Sequence, residues 1–295
     1  MKNNILLVGG SGYLGQHLAA KLKNEYNVVV SGLDVNCDNC HIKLDFSDPQ
    51  SFSNITNKFD YVFILAASIN GIGSICLNNI DLSVNTIGLA SFLQYLLDND
   101  ITKKIVYTSS MTVYSKYASI PVKETADLSP VNIYGLSKKI AEDIITFSSR
   151  ENQISSLILR LPGIYGGSRK GGYIYNTLKK ALNNEDIILD TKGLIFWECM
   201  NIDDICGIIV AILKSYQWDN QIINVGYGEL IDFVEVAKKI VAKTNSQSEI
   251  KVLTKDYIDF YLDNSRLRKI TTIPDSFDSS LSKYIRYCQN ELCDR

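Results

Sequence analysis

The chain has 295 residues, 46% hydrophobic and 21% charged, with a formal net charge of −2. This is the balance of a soluble globular protein with a sizeable core. It lacks the clustered basic stripe of a nucleic-acid binder, and it has no run of about 18 apolar residues that would span a membrane. The seven cysteines are scattered and odd in number, and the first apolar run is short and broken by glycine. These features predict a leaderless chain in a reducing, cytoplasmic setting.

Apolar runs at 5–8, 27–33, 61–67, 104–110, 156–161 and 221–226 read as strands. They are apolar on both faces, as buried parallel strands are. Helix-length periodic segments separate them, and Leu14, Leu18 and Leu22 mark one face of the first. Alternating strands and helices of this kind predict an α/β fold, an open doubly wound parallel sheet of Rossmann type. After about residue 165 the regular alternation stops. Residues 1–165 with about 199–225 are expected to form the sheet domain. About 166–198 and 226–295 are expected to form a smaller α/β part over its carboxyl edge, where ligands bind in such folds.

The first strand runs into Gly9-Gly10-Ser11-Gly12-Tyr13-Leu14-Gly15 and then a helix. Gly9 allows a tight turn, Gly12 a close approach of pyrophosphate, and Gly15 close packing of helix on strand. The free N–H groups at the helix start suit phosphates. Asp34 follows the second strand at the spacing of an acid that binds the adenine ribose, and its charge disfavours a 2′-phosphate. NAD(H) is therefore favoured, with NADP(H) possible. Asp45 is a candidate for the adenine amino group or for a helix cap, with Ser47 and Asp48 equally suited to capping.

Cys37-Asp38-Asn39-Cys40-His41 matches the pattern for covalent haem attachment. A haem there would collide with the adenine pocket, and Cys37, Cys40 and His41 make three zinc ligands where about four are needed. No metal is expected.

Tyr134 and Lys138 lie at i and i+4, on one helix face. An ammonium stabilises a phenolate, so Tyr134 is suited to move a proton. Ser109-Ser110 ends the fourth strand at the carboxyl edge, where a hydroxyl can bind a substrate oxygen.

Together these segments resemble the extended short-chain dehydrogenase/reductases, the NAD-dependent epimerase/dehydratases. VGGSGYLG is similar to the family's dinucleotide motif, FILAAS (63–68) to its cofactor-lining segment, and VYTSSMTVYS (106–115) to the strand bearing its catalytic Ser/Thr. PVKETADLSPVNIYGLSK (121–138), LRLPGIYGG, NIDDIC, INVGYG and LDNSR follow in the family's order. The resemblance implies a catalytic triad of Ser110, Tyr134 and Lys138. It implies cofactor contacts from Gly9, Gly12, Tyr13, Leu14, Gly15, Asp34, Asp45, Phe46, Leu65, Ala66, Ala67, Asn85, Thr108, Tyr134, Lys138 and Pro162. Substrate contacts are implied for Ser68, Ser110, Met111, Thr112, Tyr134, Gly163, Arg169 and Trp197.

Departures from the family narrow the reaction. Met111 and Thr112 stand where 4,6-dehydratases carry Asp-Glu, and Thr112 stands where the GDP-fucose type of epimerase–reductase has a cysteine. Gly163 and Trp197 replace an Asn and an Arg that hold the substrate diphosphate, which leaves Arg169 and Lys170 as the nearby cations. The compact second part and LDNSR resemble 4-ketosugar reductases. The expected activity is a reductase of a nucleotide-activated 4-ketosugar. The alternatives are a C4 epimerase with tightly held NAD and a non-catalytic dinucleotide-binding regulator. The resemblance also implies a homodimer through helices at 82–98 and 134–149, the first of which is more apolar than one buried stripe requires.

Overall fold

The computed structural model describes residues 2–34, 41–70, 79–151, 154–192, 194, 197–273 and 276–293. Strands β1 (Asn4–Val8) and β2 (Asn27–Gly32) flank helix α1 (Tyr13–Leu22), and a short β3 (Ile42–Lys43) follows. After β4 (Tyr61–Ile64) comes α2 (Asn79–Leu82), a π-helical segment Ser83–Gly88, and α3 (Leu89–Asp98). β5 (Lys104–Ser110) leads by a long loop to α4 (Ile133–Glu151), then β6 (Ser155–Leu161) and β7 (Gly163–Tyr165). The remaining elements are α5 (Gly172–Leu182), β8 (Ile187–Asp190), β9 (Cys199–Asn201), α6 (Ile202–Ser215), β10 (Gln221–Asn224), α7 (Phe233–Thr244), β11 (Ile250–Thr254), α8 (Ser265–Ile270) and α9 (Phe277–Cys293).

Seven parallel strands form one sheet in the order β10-β6-β5-β4-β1-β2-β3. The six expected strands are all present, within one or two residues at their starts. Their ends are shorter at β2, β4 and β10, because the chain leaves the sheet where the carboxyl-edge loops begin. Strand order reverses between β1 and β4, so a crevice opens above their ends.

The side-chain period of two sorts the core into two layers. Ile5, Leu7, Phe63 and Val106 face one side, where Leu18 and Leu22 of α1 and the apolar stripe of α6 cover them. Leu6, Val8, Val62 and Ile64 face the other, under Phe92, Leu93 and Leu96 of α3 and Ile145 of α4. The first layer continues without a break into α5, α7 and α9 of the C-terminal part. Two small parallel pairs, β7 with β9 and β8 with β11, complete that part.

The helix over 79–98 differs from the regular α-helix its periodicity suggests. Ser83–Gly88 forms i→i+5 bonds, a widening that recurs at functional sites. The extra residue per turn resets the phase, so Asn85 is buried toward the sheet edge while Leu89 to Leu96 keep their stripe on the core. Gly88 falls where any Cβ would lie 2.4 Å from the Phe46 carbonyl oxygen. By length and composition Ile80–Asp98 is apolar enough to cross a membrane, but here its buried stripe packs on the sheet.

Candidate active site

The turn after β1 behaves as the glycine spacing predicts. Gly9 has φ +79°, and a Cβ on it would lie 2.6 Å from the Ala66 nitrogen at the end of β4. A Cβ on Gly15 would lie 2.4 Å from the Gly10 Cα, so α1 sits directly on the turn. Gly12 caps α1 in extended conformation with no side-chain bond. The backbone N–H groups of Tyr13 and Leu14 thus open the helix without intrahelical partners. A cleft of about 560 Å³ lies above, lined by Gly9, Gly12, Asp45, Leu65, Ala66 and Ala67 among others.

Other residues expected at the cofactor are placed with more differentiated roles. Asp34 is exposed, one residue past Leu33, which lines the cleft. Asp45 Oδ1 accepts from Ser47 N (2.8 Å) and Ser47 Oγ (2.7 Å) at the cleft wall, while Asp48, not Asp45, caps the following 3₁₀ turn. Phe46 reaches the cleft, but its ring packs on Phe52 and Phe92 in the core. The Tyr13 hydroxyl donates to the Gly166 carbonyl at 2.7 Å, which turns its side chain away to the C-terminal part. Asn85 is an internal clamp. Its Oδ1 accepts from Ser68 N (2.7 Å), and its Nδ2 donates to Ser68 O (2.8 Å) and Ser137 Oγ (2.9 Å). Its amide hydrogens are committed to protein partners, so its part is to tie the end of β4 to α4. Cys37 and Cys40 lie outside the described residues. His41 Nδ1 accepts from Val30 N at 3.0 Å, a sheet-edge contact that occupies this nitrogen. Among the described residues no His/Cys/Asp/Glu group could hold a metal ion.

At the ends of β5 and β6 the candidate triad converges. Ser109 and Ser110 separate cleanly. Ser109 Oγ donates to the buried Glu142 at 2.5 Å, whereas Ser110 is half-buried and its Oγ accepts from Thr112 N (3.2 Å) and Thr112 Oγ1 (2.9 Å). Its hydroxyl remains at the edge, with its own hydrogen available. Lys138 is buried, and its Nζ donates to the Thr108 carbonyl at 2.8 Å. That Nζ lies 4.5 Å from the centroid of the Tyr107 ring and 5.7 Å from that of Tyr134. Burial pushes the Lys138 ammonium down to about 7, with the charge of Glu142 opposing. Burial also raises the Tyr134 phenol above its ordinary range, and the charge of Asp81 adds to this. Tyr134 is therefore a neutral phenol beside an amine whose ammonium is held well below its ordinary range.

Sequence reading missed what supports these groups. Tyr134, Lys138 and Glu142 share one face of α4 at successive four-residue steps. Glu142 closes a bidentate pair with Arg160 of β6, 2.6 Å from Oε2 to Nη2 and 3.0 Å from Oε1 to Nε. Arg160 also donates to Tyr114 OH at 2.7 Å, and Tyr114 donates to Asn224 of β10 at 2.6 Å. This network backs the catalytic edge across three elements. Breaking one partner of such a pair costs about 3–5 kcal/mol. Gly135 is a second omission, since a Cβ there would lie 2.2 Å from the Thr112 carbonyl oxygen. Only glycine lets α4 approach the segment carrying Ser110 so closely.

On the substrate side, Met111 is buried and Thr112 bonds Ser110. Pro162 is buried between β6 and β7. Gly163 N donates to Glu198 O at 3.0 Å, and a Cβ at 163 would meet that oxygen at 3.0 Å. Trp197 packs edge-on against Phe233 (5.3 Å) and Tyr173 (5.4 Å). Arg169 is exposed, donates to Ile164 O at 2.9 Å and lies 5.8 Å from the Tyr13 ring. Glu198 is fully buried. Its Oε2 accepts from Leu262 N, its Oε1 has no partner, and burial pushes its carboxyl up to about 8.

The observed cradle suits a dinucleotide: Gly12 lining the cleft, a turn at Gly9 that no Cβ could enter, free helix N–H groups and an acid past β2. Comparison with known proteins agrees. The model of the NAD dependent epimerase/dehydratase family matches residues 5–226. A protein of Methanocaldococcus jannaschii named "Putative UDP-glucose 4-epimerase" is 28% identical over 250 residues, 78% of this chain and 81% of that one. The solved UDP-glucose 4-epimerase of Thermotoga maritima superposes with a TM-score of 0.85 at 22% identity, covering 98% of this chain and 99% of that one. UDP-N-acetylglucosamine 4-epimerase from Bacillus cereus gives 0.83 at 22% identity, covering 98% and 97%. The chain belongs to the NAD-dependent epimerase/dehydratase family.

Proposed function

We propose that the protein is an NAD-dependent C4 epimerase of a nucleotide-activated sugar. The observation that carries this reading is a single proton-transfer group, Tyr134, set with Ser110 and Lys138 at the carboxyl edge beside the cleft. Met111 and Thr112 offer no second acid and base for eliminating water. That set suits oxidation and reduction at one carbinol carbon. The relatives named as 4-epimerases favour the epimerase over the 4-ketosugar reductase suggested by the compact C-terminal part.

When bound, NAD supplies a two-electron acceptor that takes and returns a hydride. Gly9, Gly12 and the start of α1 would hold its pyrophosphate, Asp34 its adenine ribose, and Lys138 its nicotinamide ribose. Ser110 donates a hydrogen bond to the C4 oxygen of the sugar, and Tyr134 removes the proton of that hydroxyl. Lys138, in its protonated form, lends the charge that lowers the Tyr134 phenol. Tyr134 then returns the proton after the 4-keto sugar has presented its other face.

The test is a screen of UDP- and dTDP-linked hexoses with the purified protein, followed by proton NMR of the sugar. Appearance of the C4 epimer without added cofactor supports the reading. Stoichiometric consumption of NADH with 4-keto sugars and no epimer would replace it with the reductase. Tyr134→Phe retaining full turnover would remove the catalytic assignment.

A further inference from the structure

Asp81 belongs to no element of the dinucleotide or Ser–Tyr–Lys pattern, yet it is fully buried beside the active site. Its Oδ1 accepts from the Ser68 hydroxyl and from Asn70 N, the latter at 3.1 Å. Ser68 and Asn70 both line the cleft. The Ser68 hydroxyl has one hydrogen, and it goes to Asp81, while Asn70 Nδ2 donates back to the same oxygen at 3.1 Å. Toward the cleft Ser68 can therefore only accept. The backbone of Ser68 is in turn held on both sides by Asn85, Asn85 donates to Ser137, and Ser137 Oγ donates to the Tyr134 carbonyl at 2.8 Å. A continuous chain of hydrogen bonds thus runs from Asp81 through the cleft wall to the turn of α4 that carries Tyr134.

We propose that Asp81 is a positioning residue of the active site: its carboxylate fixes the 68–70 segment of the cleft against the turn of α4 that carries Tyr134. Its charge also adds to burial in raising the Tyr134 phenol, and that consequence rests on Tyr134 as the proton-transfer group, whereas the hydrogen bonds do not. The groups that bear on Tyr134 come from each packed element. Asp81 acts on it by charge from α2, Lys138 Nζ lies 5.7 Å from its ring on the same helix and Tyr107 of β5 interacts with it, while Glu142 acts through Lys138 and is itself paired with Arg160 of β6. Asp81 is the anion among them that opposes ionisation of Tyr134 directly, and Lys138 is the cation that favours it.

Two substitutions separate the roles. Asp81→Asn keeps an acceptor for Ser68 and Asn70 but removes the charge, and Asp81→Ala removes both. NAD binding is measured by calorimetry. The Tyr134 ring is followed by NMR against pH in the NAD-bound protein, its signal identified by its loss in Tyr134→Phe. The pH profile of turnover is recorded alongside. Asp81→Asn should bind NAD within about twofold of the parent while the Tyr134 titration and the acidic limb of the profile move down by about one pH unit. Asp81→Ala should lose about tenfold in NAD affinity. The inference is overturned if Asp81→Asn leaves the Tyr134 titration in place, or if a folded Asp81→Ala binds NAD as the parent does. Should Asp81→Ala not fold, the titration of Asp81→Asn alone decides. The ring titration and NAD binding need no substrate, so they stand even if the proposed reaction is wrong.

Discussion

Gly135→Ala is the sharpest test of how the active site is assembled. The added Cβ would sit 2.2 Å from the Thr112 carbonyl oxygen and 2.8 Å from its carbon, so α4 and the 110–112 segment must separate by about an ångström. Overpacking of this kind costs about 1–3 kcal/mol. Replacing a helical glycine by alanine returns about 1 kcal/mol, so the net loss of stability is small, of order 0–2 kcal/mol. Catalysis has no such compensation. The separation lies between Tyr134 and Ser110, which under the proposed mechanism meet one oxygen, and a displacement of about 1 Å there costs on the order of 10² in rate. Steady-state turnover should fall about a hundredfold while NAD affinity, measured at a cleft built around Gly9 and Gly12, stays near that of the parent. Gly171→Ala, where a Cβ meets nothing within 4 Å, is the control and should leave turnover unchanged. A Gly135→Ala protein with parental kcat would refute the close-approach account.

Two buried titrating groups make opposite contributions to stability. The Lys138 ammonium titrates near 7 in the folded chain and near its ordinary value unfolded, so between these the unfolded chain binds more protons and native stability rises with pH. Relative to Lys138→Met, the parent should gain about 2–3 kcal/mol between pH 6 and pH 9 in denaturant titrations. Glu198 titrates near 8 folded against about 4.3 unfolded, so its contribution is lost as pH rises through that window. Glu198→Gln should match the parent at pH 5 and exceed it at pH 9, by up to about 4 kcal/mol. Ile87 and Phe147 stand more than half exposed on the helices at 82–98 and 134–149, the pair expected to form a homodimer. Ile87→Lys with Phe147→Glu should convert a dimer to a monomer by light scattering at micromolar concentration, with the circular dichroism spectrum unchanged.

The strands were legible because they are buried on both faces, and runs such as Ile5–Val8 have no other reading. The nucleotide turn was legible for the same local reason, since strand, glycines and helix are contiguous. The reach of the site across the sheet was not. Glu142 and Arg160 are 18 residues apart and meet only because α4 packs against β6. Gly135 reads as an ordinary glycine in a helical pattern until Thr112 is brought against it. The π segment is invisible to a periodicity that samples its apolar residues alone, and it is this segment that turns Asn85 inward. Asp81 looks like a solvated residue at a helix start, and only its contacts with Ser68 and Asn70 show it buried. Tyr13 and Phe46 hold motif positions while their rings engage the protein itself, Tyr13 bonding Gly166 and Phe46 packing on Phe52 and Phe92.

The central claim is that one bound dinucleotide is reduced and reoxidised within each turnover. Native mass spectrometry of the purified protein, followed by NMR of a UDP-hexose incubated with it in deuterated buffer, tests this directly. The account predicts co-purified NAD, inversion at C4, and no deuterium at that carbon, because the same hydrogen leaves and returns. Conversion that requires added NADH in equal amount, or deuterium incorporated at C4, would contradict it.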